Sequence, residues 1–343
     1  MENSIIIGLI GTGKWALEAH LPILKSTNLV KQVYIFDPNF SEIVHDKKVT
    51  VCDNVDDLFN SNLDGLIIST PNEFHYKYAH KALERGIHVH IDKPISENLE
   101  DVVELINFSK QKHLIISTHT QKKYCEGVTL LKECLEKYFR KLYHVSGTVW
   151  QKQFQDFENS WRSNNTTGIL MDSGFHILDT ILSVLTLEHY STPPSHIHAI
   201  ANNANNKNDA FTSLHFLVSE IAVQVNAFRG VPALLGKEEY QFFGDAGFIR
   251  LIYTPIENGK IFEFQYINYE GVTVIETSKK MSQSLKSLPT KLFINALNRD
   301  KQALNSVLES TNTSLSVIEI LDKVYPLINS KRKSDERAYS IDT

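Results

Sequence analysis

The sequence predicts an α/β protein in which a doubly wound parallel sheet is followed by an α+β domain with a large, mainly antiparallel open sheet. In residues 1–120, short runs rich in Ile and Val alternate with helical patterns, as strands buried on both faces do. In residues 121–343, strand-like segments alternate apolar with polar side chains, which is typical of a sheet with one covered face. We therefore expect two domains with a boundary near residue 120.

The first domain is predicted to contain five strands and three connecting helices. The strands span residues 5–10, 32–36, 65–69, 88–91 and 114–117, and the helices span 16–25, 73–85 and 99–110. The strand runs are short and apolar throughout, whereas the helical segments repeat their apolar residues every three or four positions. This alternation predicts parallel β-α-β units.

The second domain is predicted to open with a helix at 126–138, a long strand at 142–150 and a strongly apolar helix at 168–187. Seven further strands are expected at 196–201, 210–217, 221–227, 239–243, 248–253, 261–266 and 272–275. The Asn-rich residues 202–209 predict a hairpin loop. Helices at 291–297 and 314–327 close the domain, and the charged residues 331–343 predict a frayed tail.

Composition narrows the possible classes of protein. The 343 residues carry 35 Lys and Arg against 40 Asp and Glu, and the net charge of −5 disfavours nucleic acid as a partner. No apolar run approaches the roughly 18 residues of a membrane span. Neither a basic nor a long apolar segment precedes Ile5, so we expect no signal peptide. The cysteines at 52, 125 and 134 form no C-x-x-C pair, which favours a reducing, cytoplasmic location.

A glycine-rich turn follows the first strand. Gly11, Gly13 and Ala16 form the pattern G-x-G-x-x-A, in which the glycines allow a tight turn and close approach of a pyrophosphate to a helix N-terminus. Asp37, at the end of the second strand, is placed to bind the ribose hydroxyls of NAD and to repel the 2′-phosphate of NADP. Residues 37–39 also suit an ordinary turn, but the order of these elements favours NAD.

Two later strands of the first domain end in polar residues. Ser69 and residues 70–72 end one strand, with His75 in the next helix, and residues 92–94 follow another. Ligands of open α/β sheets lie beyond the carboxyl ends of the strands. The Lys93 ammonium is suited to donate a hydrogen bond to a substrate hydroxyl and to stabilise an alkoxide. The alternative is an ordinary solvated loop lysine.

A polar stripe runs along the apolar helix of the second domain. Asp172, His176 and Asp179 are spaced i, i+4 and i+7, and Ser183 extends the stripe. Buried carboxylates and imidazoles are unfavourable unless they are paired or face a wet pocket. The stripe therefore predicts that Asp172 and His176 line a catalytic site. A core polar network and a metal site stay open as alternatives, and Asp179 is suited to a structural role.

Together these residues resemble the Gfo/Idh/MocA family, named for glucose–fructose oxidoreductase, inositol dehydrogenase and a rhizopine-catabolism protein. The matching motifs are G-x-G-x-x-A at 11–16, S-T-P-N-x-x-H at 69–75, D-K-P at 92–94, W-R at 161–162 and G-x-L-x-D-x-G-x-H-x-x-D at 168–179. The resemblance covers nearly the whole chain. It implies a Rossmann domain, an α/β domain whose open sheet joins subunits into a homodimer or homotetramer, and a nicotinamide cofactor.

The resemblance also implies roles for individual residues. His176 would take the hydroxyl proton, Lys93 would orient and polarise the oxygen, and Asp172 would bind a neighbouring hydroxyl. Substrate contacts are implied for Lys93, Lys123, Tyr124, Trp161, Arg162, Asp172 and His176. Cofactor contacts are implied for Gly11, Thr12, Gly13, Lys14, Trp15, Asp37, Ser69, Thr70, Pro71, Asn72, His75, Asp92 and Lys93.

The chain departs from the family pattern at two places. Asp92 stands where the family usually has Glu, which shortens the side chain by one methylene group. Lys123 and Tyr124 stand where the family often has Arg and an aromatic residue, so the bidentate fork of Arg is absent there. Both changes bear on substrate preference and leave the predicted catalytic group in place.

The sequence therefore predicts an NAD-dependent oxidoreductase that transfers hydride between nicotinamide and a secondary hydroxyl of a sugar, a sugar derivative or an inositol. It predicts neither a resident metal nor a nucleic-acid or membrane partner. One alternative is a redox-neutral, NAD-dependent enzyme of the same family that cleaves a glycoside. Another is a non-catalytic, dinucleotide-binding sensor with a protein partner.

Overall fold

The structure, a computed structural model, describes residues 4–40, 46–152, 168–185, 194–203, 209–232, 236–257 and 259–339. Contacts between residues divide the chain into two compact units. The first comprises Met1–Gln121 and Ser284–Ile318, and the second comprises Lys122–Gln283 and Glu319–Thr343. Within the described ranges, each helix is either too short or too polar to span a lipid bilayer.

The strands and helices of the described residues are numbered in chain order. The strands are β1 (Ile5–Ile10), β2 (Val30–Phe36), β3 (Val49–Val51), β4 (Gly65–Ile68), β5 (His88–Asp92), β6 (Ile116–His119), β7 (Leu142–Lys152), β8 (Ser195–Asn203), β9 (Asp209–Val218), β10 (Ile221–Val231), β11 (Lys237–Gly244), β12 (Gly247–Ile256), β13 (Gly259–Asn268) and β14 (Thr273–Lys280). The helices are α1 (Leu21–Ser26), α2 (Val55–Phe59), α3 (His75–Glu84), α4 (Leu99–Gln111), α5 (Glu126–Tyr138), α6 (Phe175–Leu185), α7 (Leu288–Leu297) and α8 (Lys301–Tyr339).

The sheet of the first unit is parallel throughout and has the strand order β3-β2-β1-β4-β5-β6. This is the doubly wound arrangement that the sequence predicts. The strand order reverses between β1 and β4, and the carboxyl ends of these two strands define the ligand-binding edge of such a sheet. The short strand β3 and helix α2 are additional to the prediction.

Helix α7 packs into the core of the first unit although it follows the second sheet in sequence. Phe293 and Ile294 are fully buried and belong to the same apolar cluster as Ile7 and Leu9 of β1. A Cβ atom built on Gly65 in β4 would lie 3.1 Å from the Phe293 ring. The absence of a side chain at Gly65 therefore lets α7 approach the sheet closely.

The sheet of the second unit has eight strands in the order β14-β13-β12-β11-β7-β10-β9-β8. Its neighbouring described strands run antiparallel, except that β7 and β10 run parallel. Helix α6 lies against β7, where a Cβ atom on Gly147 would come within 2.3 Å of the Ile177 side chain. The predicted α/β class, with one parallel and one mainly antiparallel sheet, is confirmed.

The last helix extends beyond the sequence-based expectation at both ends. Helix α8 spans Lys301–Tyr339, whereas the sequence predicts a helix only over 314–327 and a frayed tail after 331. Ala303 and Val307 are buried, and this packing outweighs the weak helix propensity of the neighbouring Ser, Thr and Asn residues.

Strands β8 and β9 pair antiparallel as a hairpin requires, and loop residues 204–208 lie outside the described residues.

Two helices of the structure begin with a π-helical turn. Ala16–His20 precedes α1, and Leu170–Gly174 precedes α6. A π turn holds one extra residue, so it rotates the side chains that follow relative to a regular α-helix, and such turns are frequent at functional sites. The first turn follows the glycine pattern, and the second contains Asp172.

Candidate functional site

The glycine turn has the conformation that dinucleotide binding requires. Gly11 has a positive φ of 89°, and a Cβ atom there would lie 2.3 Å from the Ser69 carbonyl oxygen. A Cβ atom on Gly13 would meet no atom of the protein within 4 Å. Gly11 therefore serves the fold, whereas Gly13 leaves open space beside a helix N-terminus. This open cradle fits a pyrophosphate group.

The Asp37 carboxylate is held at the end of β2 by the same turn. One oxygen accepts hydrogen bonds from the Thr12 backbone N–H at 2.8 Å and from the Thr12 hydroxyl at 3.1 Å. The other oxygen accepts from the Asn39 N–H at 2.8 Å. Lys14, on the helix side of the turn, is fully exposed and lies 3.9 Å from Glu18. The carboxylate is thus fixed in orientation before any ribose is bound.

His75 connects the two polar loops that follow β4 and β5. The ring is buried, its Nδ1 lies 2.7 Å from the Pro94 carbonyl oxygen, and its Nε2 lies 2.9 Å from that of Thr70. Burial lowers the pKa of His75, whereas the contacts with the two carbonyl oxygens favour the protonated ring. Asn72 donates to Glu97 at 2.7 Å and joins the same loops. Pro71 lies between these anchored residues, half-buried.

Asp92, at the end of β5, is anchored from two sides. His20 Nε2 lies 3.0 Å from one carboxylate oxygen, and the Ser69 hydroxyl donates a short hydrogen bond to the other. Although burial opposes the charge, His20 and the other neighbours hold the pKa of Asp92 well below its usual range. Asp92 is therefore a carboxylate at neutral pH. Lys93, half-buried, follows it directly at the carboxyl edge of the sheet.

Three buried histidines continue from Asp92 into the first unit. The Asp92 carboxylate accepts only, so His20 carries a proton on Nε2, and its Nδ1 lies 2.7 Å from the Thr290 hydroxyl. His119 donates from Nε2 to the Lys286 carbonyl oxygen at 3.0 Å. Its Nδ1 then accepts from His90 Nε2 at 3.1 Å.

Burial lowers the pKa of His90 and of His119, so these two rings are neutral at physiological pH. His90 completes the chain, because its Nδ1 accepts from the Ser117 hydroxyl at 2.7 Å. One ligand atom from each ring lies within 4.8 Å of the others, a spacing that a metal ion could bridge. Each ring nitrogen already has a hydrogen-bond partner, however, and burial lowers the pKa of His119 to about 3. The arrangement fits a hydrogen-bonded network. Trp15 packs edge-on against His119, with ring centroids 5.6 Å apart.

In the second unit, Asp172 belongs to a triangle of polar side chains. Arg229 Nη2 donates to Asp172 Oδ2 at 3.2 Å, and Arg229 Nε donates to Gln151 Oε1 at 3.1 Å. Gln151 Nε2 lies 3.5 Å from the same carboxylate oxygen. The exposed fractions of the Arg229 and Asp172 side chains are 8% and 18%. Both ions are thus partly withdrawn from water and compensate each other.

The remaining polar residues of α6 divide into two environments. Asp179 is fully buried, and the Lys123 ammonium lies 2.9 Å from its Oδ1. This buried ion pair gives Asp179 a structural partner and places Lys123 inside the second unit. His176 is half-buried one turn before Asp179, and its carbonyl oxygen accepts from the Thr180 hydroxyl at 2.8 Å. Tyr124, next to Lys123, is also half-buried.

The structure brings the predicted residues together in two groups. The first group lies at the carboxyl edge of the parallel sheet and contains Gly11, Thr12, Gly13, Asp37, Ser69, Thr70, Asp92 and Lys93. The second lies on the helix side of the other sheet and contains Asp172 and His176. Trp161 and Arg162 fall outside the described residues.

Sequence analysis missed His20, Gln151 and Arg229. Gln151 and Arg229 follow apolar runs at the carboxyl ends of β7 and β10, the kind of position that drew attention to Lys93. The same rule applied to the second domain would have selected them, had the parallel pairing of these strands been known. His20 had a weaker signal, as an ionisable residue four positions after the buried Ala16 in an amphipathic segment.

The comparison with known protein families agrees with the geometry of the first unit. Residues 5–120 match the family described as GFO_IDH_MocA, an oxidoreductase family with an NAD-binding Rossmann fold. The match to the Gfo/Idh/MocA family covers the first third of the chain. The family resemblance expected from the motifs is thereby confirmed, and residues 5–120 are its NAD-binding domain.

Individual members of the family are distant in sequence. The chain is 29% identical to the uncharacterized oxidoreductase YdgJ of Escherichia coli over 197 residues, 54% of this chain and 55% of the relative. It is 20% identical to the scyllo-inositol 2-dehydrogenase (NADP(+)) IolW of Bacillus subtilis over 253 residues, 72% of this chain and 69% of the relative. The matches to several relatives, YdgJ among them, span about half of the relatives' length.

Solved structures match over the full fold. The WlbA dehydrogenase of Bordetella pertussis, in complex with NADH and UDP-GlcNAcA, superposes with a TM-score of 0.74 at 16% identity. The match covers 95% of this chain and 97% of that chain. At this identity the similarity establishes the fold, including the second sheet that lies beyond the family match.

Proposed function

We propose that the protein is an NAD-dependent oxidoreductase that transfers hydride between nicotinamide and a secondary hydroxyl of a sugar, a sugar derivative or an inositol. The observation that carries this proposal is the position of Lys93. It follows an ionised, doubly anchored Asp92 at the carboxyl edge of an NAD-binding sheet. A cation held there is suited to stabilise an alkoxide beside a nicotinamide.

The first unit supplies the cofactor-binding residues. The backbone at Gly11–Gly13 would hold the pyrophosphate, and Asp37 would accept hydrogen bonds from the ribose hydroxyls. Lys14, Trp15, Pro71, Asn72 and His75 belong to the same turn or loops, and we propose that His75 acts by tying the loops together. When bound, the nicotinamide supplies the acceptor for the hydride.

The acid–base chemistry is assigned to three side chains. His176 accepts the proton of the reacting hydroxyl, for which a neutral imidazole is suited. Lys93 donates a hydrogen bond to the oxygen and stabilises its developing negative charge. Asp172 accepts a hydrogen bond from a neighbouring hydroxyl and orients the ring. Tyr124, Trp161 and Arg162 are proposed as further substrate contacts.

We propose NAD in preference to NADP. Asp37 already presents a fixed carboxylate at the end of β2, which repels a 2′-phosphate. The relative IolW is named as an NADP(+) enzyme, so cofactor choice differs within the family. The names of IolW and of glucose-6-phosphate 3-dehydrogenase support a cyclitol or sugar as substrate here.

We further propose that the open face of the second sheet joins two or four copies of the chain. Phe211, Phe228 and Trp150 lie side by side on three neighbouring strands, and the ring centroids of Phe211 and Phe228 are 4.9 Å apart. The Lys237 ammonium lies 4.8 Å from the Trp150 ring centroid and extends the row to a fourth strand. A row of stacked aromatic rings on a half-exposed face is suited to a protein interface.

Turnover of purified protein with NAD and a panel of sugars and cyclitols tests the proposal. The expected result is NADH formation with at least one secondary alcohol. Release of a glycoside's substituent without net NADH would support the redox-neutral alternative. Binding of NADH without any reaction across the panel would support the sensor alternative.

A further inference from the structure

We infer that Arg229 is a positioning residue that holds Asp172 as an oriented carboxylate. The inference rests on the proposed function, because it deepens the role of Asp172 in that site. The sequence motifs give no role to Arg229 or to its partner Gln151. Both residues contact Asp172 directly, and their three side chains form a closed set of hydrogen bonds.

The pairing of strands β10 and β7 explains how Arg229 and Gln151 come to lie side by side. Arg229 and Gln151 are directly paired in register between β10 and β7, the parallel pair among the described strands of the second sheet. Parallel strands bring their carboxyl ends to the same edge, as they do in the first unit. Both side chains therefore emerge next to each other, on the face that carries Asp172.

Both partners of the ion pair sit at local irregularities of the backbone. The register between β10 and β7 shifts after Arg229, where Gly230 adopts a positive φ of 85°. Such a bulge re-aims a side chain at the end of a strand. Asp172 lies within the π turn Leu170–Gly174, which also redirects a side chain. Regular structure on either element would aim one of the two groups differently.

The geometry separates two contributions of Arg229. Its permanent charge favours the ionised form of Asp172 and disfavours a proton on a nearby imidazole. Its planar fork fixes direction, because Nη2 bonds Asp172 while Nε bonds Gln151. Gln151 is neutral and contributes only to direction.

The described neighbours of Asp172 come from its own helix and from strands β7, β9 and β10. From its own helix, His176 follows at i+4. From β10 the neighbour is Arg229, and from β7 it is the neutral Gln151. The residues of β9 on this face are Thr212 and Leu214, which do not titrate. Removal of the Arg229 charge thus raises the proton affinity of Asp172 and His176 together.

Three variants separate charge from direction. Arg229→Gln removes the charge, Arg229→Lys keeps it without the fork, and Gln151→Ala removes a directional partner. Arg140→Gln is the control, because Arg140 is an exposed arginine of the second unit that lies between α5 and β7. For each variant, kcat and KM are measured across pH with the substrate found for the wild type. Thermal unfolding and NADH affinity are measured alongside.

The inference predicts a distinct pattern. Arg229→Gln lowers kcat/KM about 10- to 100-fold and moves the acid limb of its pH profile up by about one unit. Arg229→Lys and Gln151→Ala also lower kcat/KM, but their acid limbs stay with the wild type. Arg140→Gln matches the wild type. NADH affinity is unchanged in all four variants, because the cofactor residues belong to the first unit.

Two outcomes would overturn the inference, and a third would overturn the proposed function. If folded Arg229→Gln keeps the wild-type kcat/KM and acid limb, Arg229 is merely structural and the inference is wrong. If Arg229→Gln does not fold, the test relies on Arg229→Lys and Gln151→Ala. A wild-type kcat/KM in both of these variants overturns the inference. If the wild type itself turns over no member of the panel, the proposed function fails instead.

Discussion

His20 donates a hydrogen bond from Nε2 to the Asp92 carboxylate across 3.0 Å, and thereby joins the turn after the glycines to the end of β5. The two residues are separated by 72 positions in sequence. Ser69, at the end of β4, completes the junction from the other carboxylate oxygen. Three segments at the cofactor edge are thus tied to one buried charge, and Lys93 follows that charge directly.

Loss of the His20 side chain is expected to destabilise the first unit. His20→Ala leaves the Asp92 charge with one side-chain anchor, and we expect the free energy of unfolding to fall by about 2 kcal/mol. It should also raise the Kd for NADH by about tenfold, since the edge loops lose their shared anchor. Urea unfolding and NADH fluorescence titration measure the two effects.

His20→Gln serves as the matched control for this prediction. A glutamine amide can donate to Asp92, so this variant should recover part of both the stability and the affinity. Equal losses in His20→Gln and His20→Ala would show that the ring packing matters and that the hydrogen bond does not.

The buried rings of His90 and His119 make the free energy of unfolding depend on pH below about 6.5. Burial lowers the pKa of His119 to about 3 and that of His90 well below its usual range, whereas unfolded histidines titrate near 6.5. Below pH 6.5 the unfolded state therefore binds more protons, and stability is lost as pH falls. Each histidine should remove about 1.4 kcal/mol from the free energy of unfolding at pH 5.5.

Urea unfolding at pH 7.5 and pH 5.5 measures this dependence. The depressed carboxyl pKa values of Asp92 and Glu238 act below about pH 4 and do not contribute in this window. His119→Asn should reduce the difference between the two pH values by about 1.4 kcal/mol. A difference that His119→Asn leaves unchanged would contradict the assigned neutral state of the buried ring.

Cofactor preference should depend on Asp37. Asp37→Ser removes the charge that repels a 2′-phosphate, while a serine hydroxyl retains a hydrogen-bonding group near Thr12. The Kd for NADPH should fall about tenfold and that for NADH should rise by a similar factor. Fluorescence titration with both cofactors tests this, with Asp53→Ser, an exposed carboxylate of the same unit, as control. An unchanged ratio of the two Kd values would remove Asp37 from cofactor selection.

The aromatic row on the open sheet should control assembly. Trp150→Glu places a charge in the middle of the row, next to Phe228, and should convert the wild-type oligomer to a smaller species. Light scattering coupled to size-exclusion chromatography gives the masses. Val103→Glu adds the same charge at an exposed position of α4 and should leave the mass unchanged. A monomeric wild type would refute the proposed interface.

The parallel sheet was predictable because its evidence is local. Each strand is a short apolar run, and the spacing from Gly11 to Asp37 needs only one strand, one turn and one helix. The strands of the second sheet were also visible as alternating segments. Their pairing was not, because register and strand order depend on contacts between residues far apart in sequence.

The same distinction between local and distant contacts explains which site residues can be identified from the sequence and which cannot. The Asp172–His176 spacing is read from one helix, so sequence reasoning found it. Arg229 meets Asp172 only because β10 pairs parallel with β7, which no local pattern encodes. The buried partner of Lys123 was equally hidden, since Asp179 lies 56 positions later in the sequence. The family resemblance implies a substrate contact for Lys123, and no local pattern indicates its pairing with Asp179.

We propose that this chain transfers hydride to NAD from a secondary alcohol with the help of Lys93. The most direct measurement is the rate of NADH formation by the wild type and by Lys93→Met on the sugar and cyclitol panel, together with the NADH affinity of both proteins. We expect turnover by the wild type and a kcat about a thousandfold lower in Lys93→Met, with NADH affinity within about threefold. A wild type that binds NADH yet oxidises nothing, or a Lys93→Met variant that turns over at the wild-type rate, would contradict it.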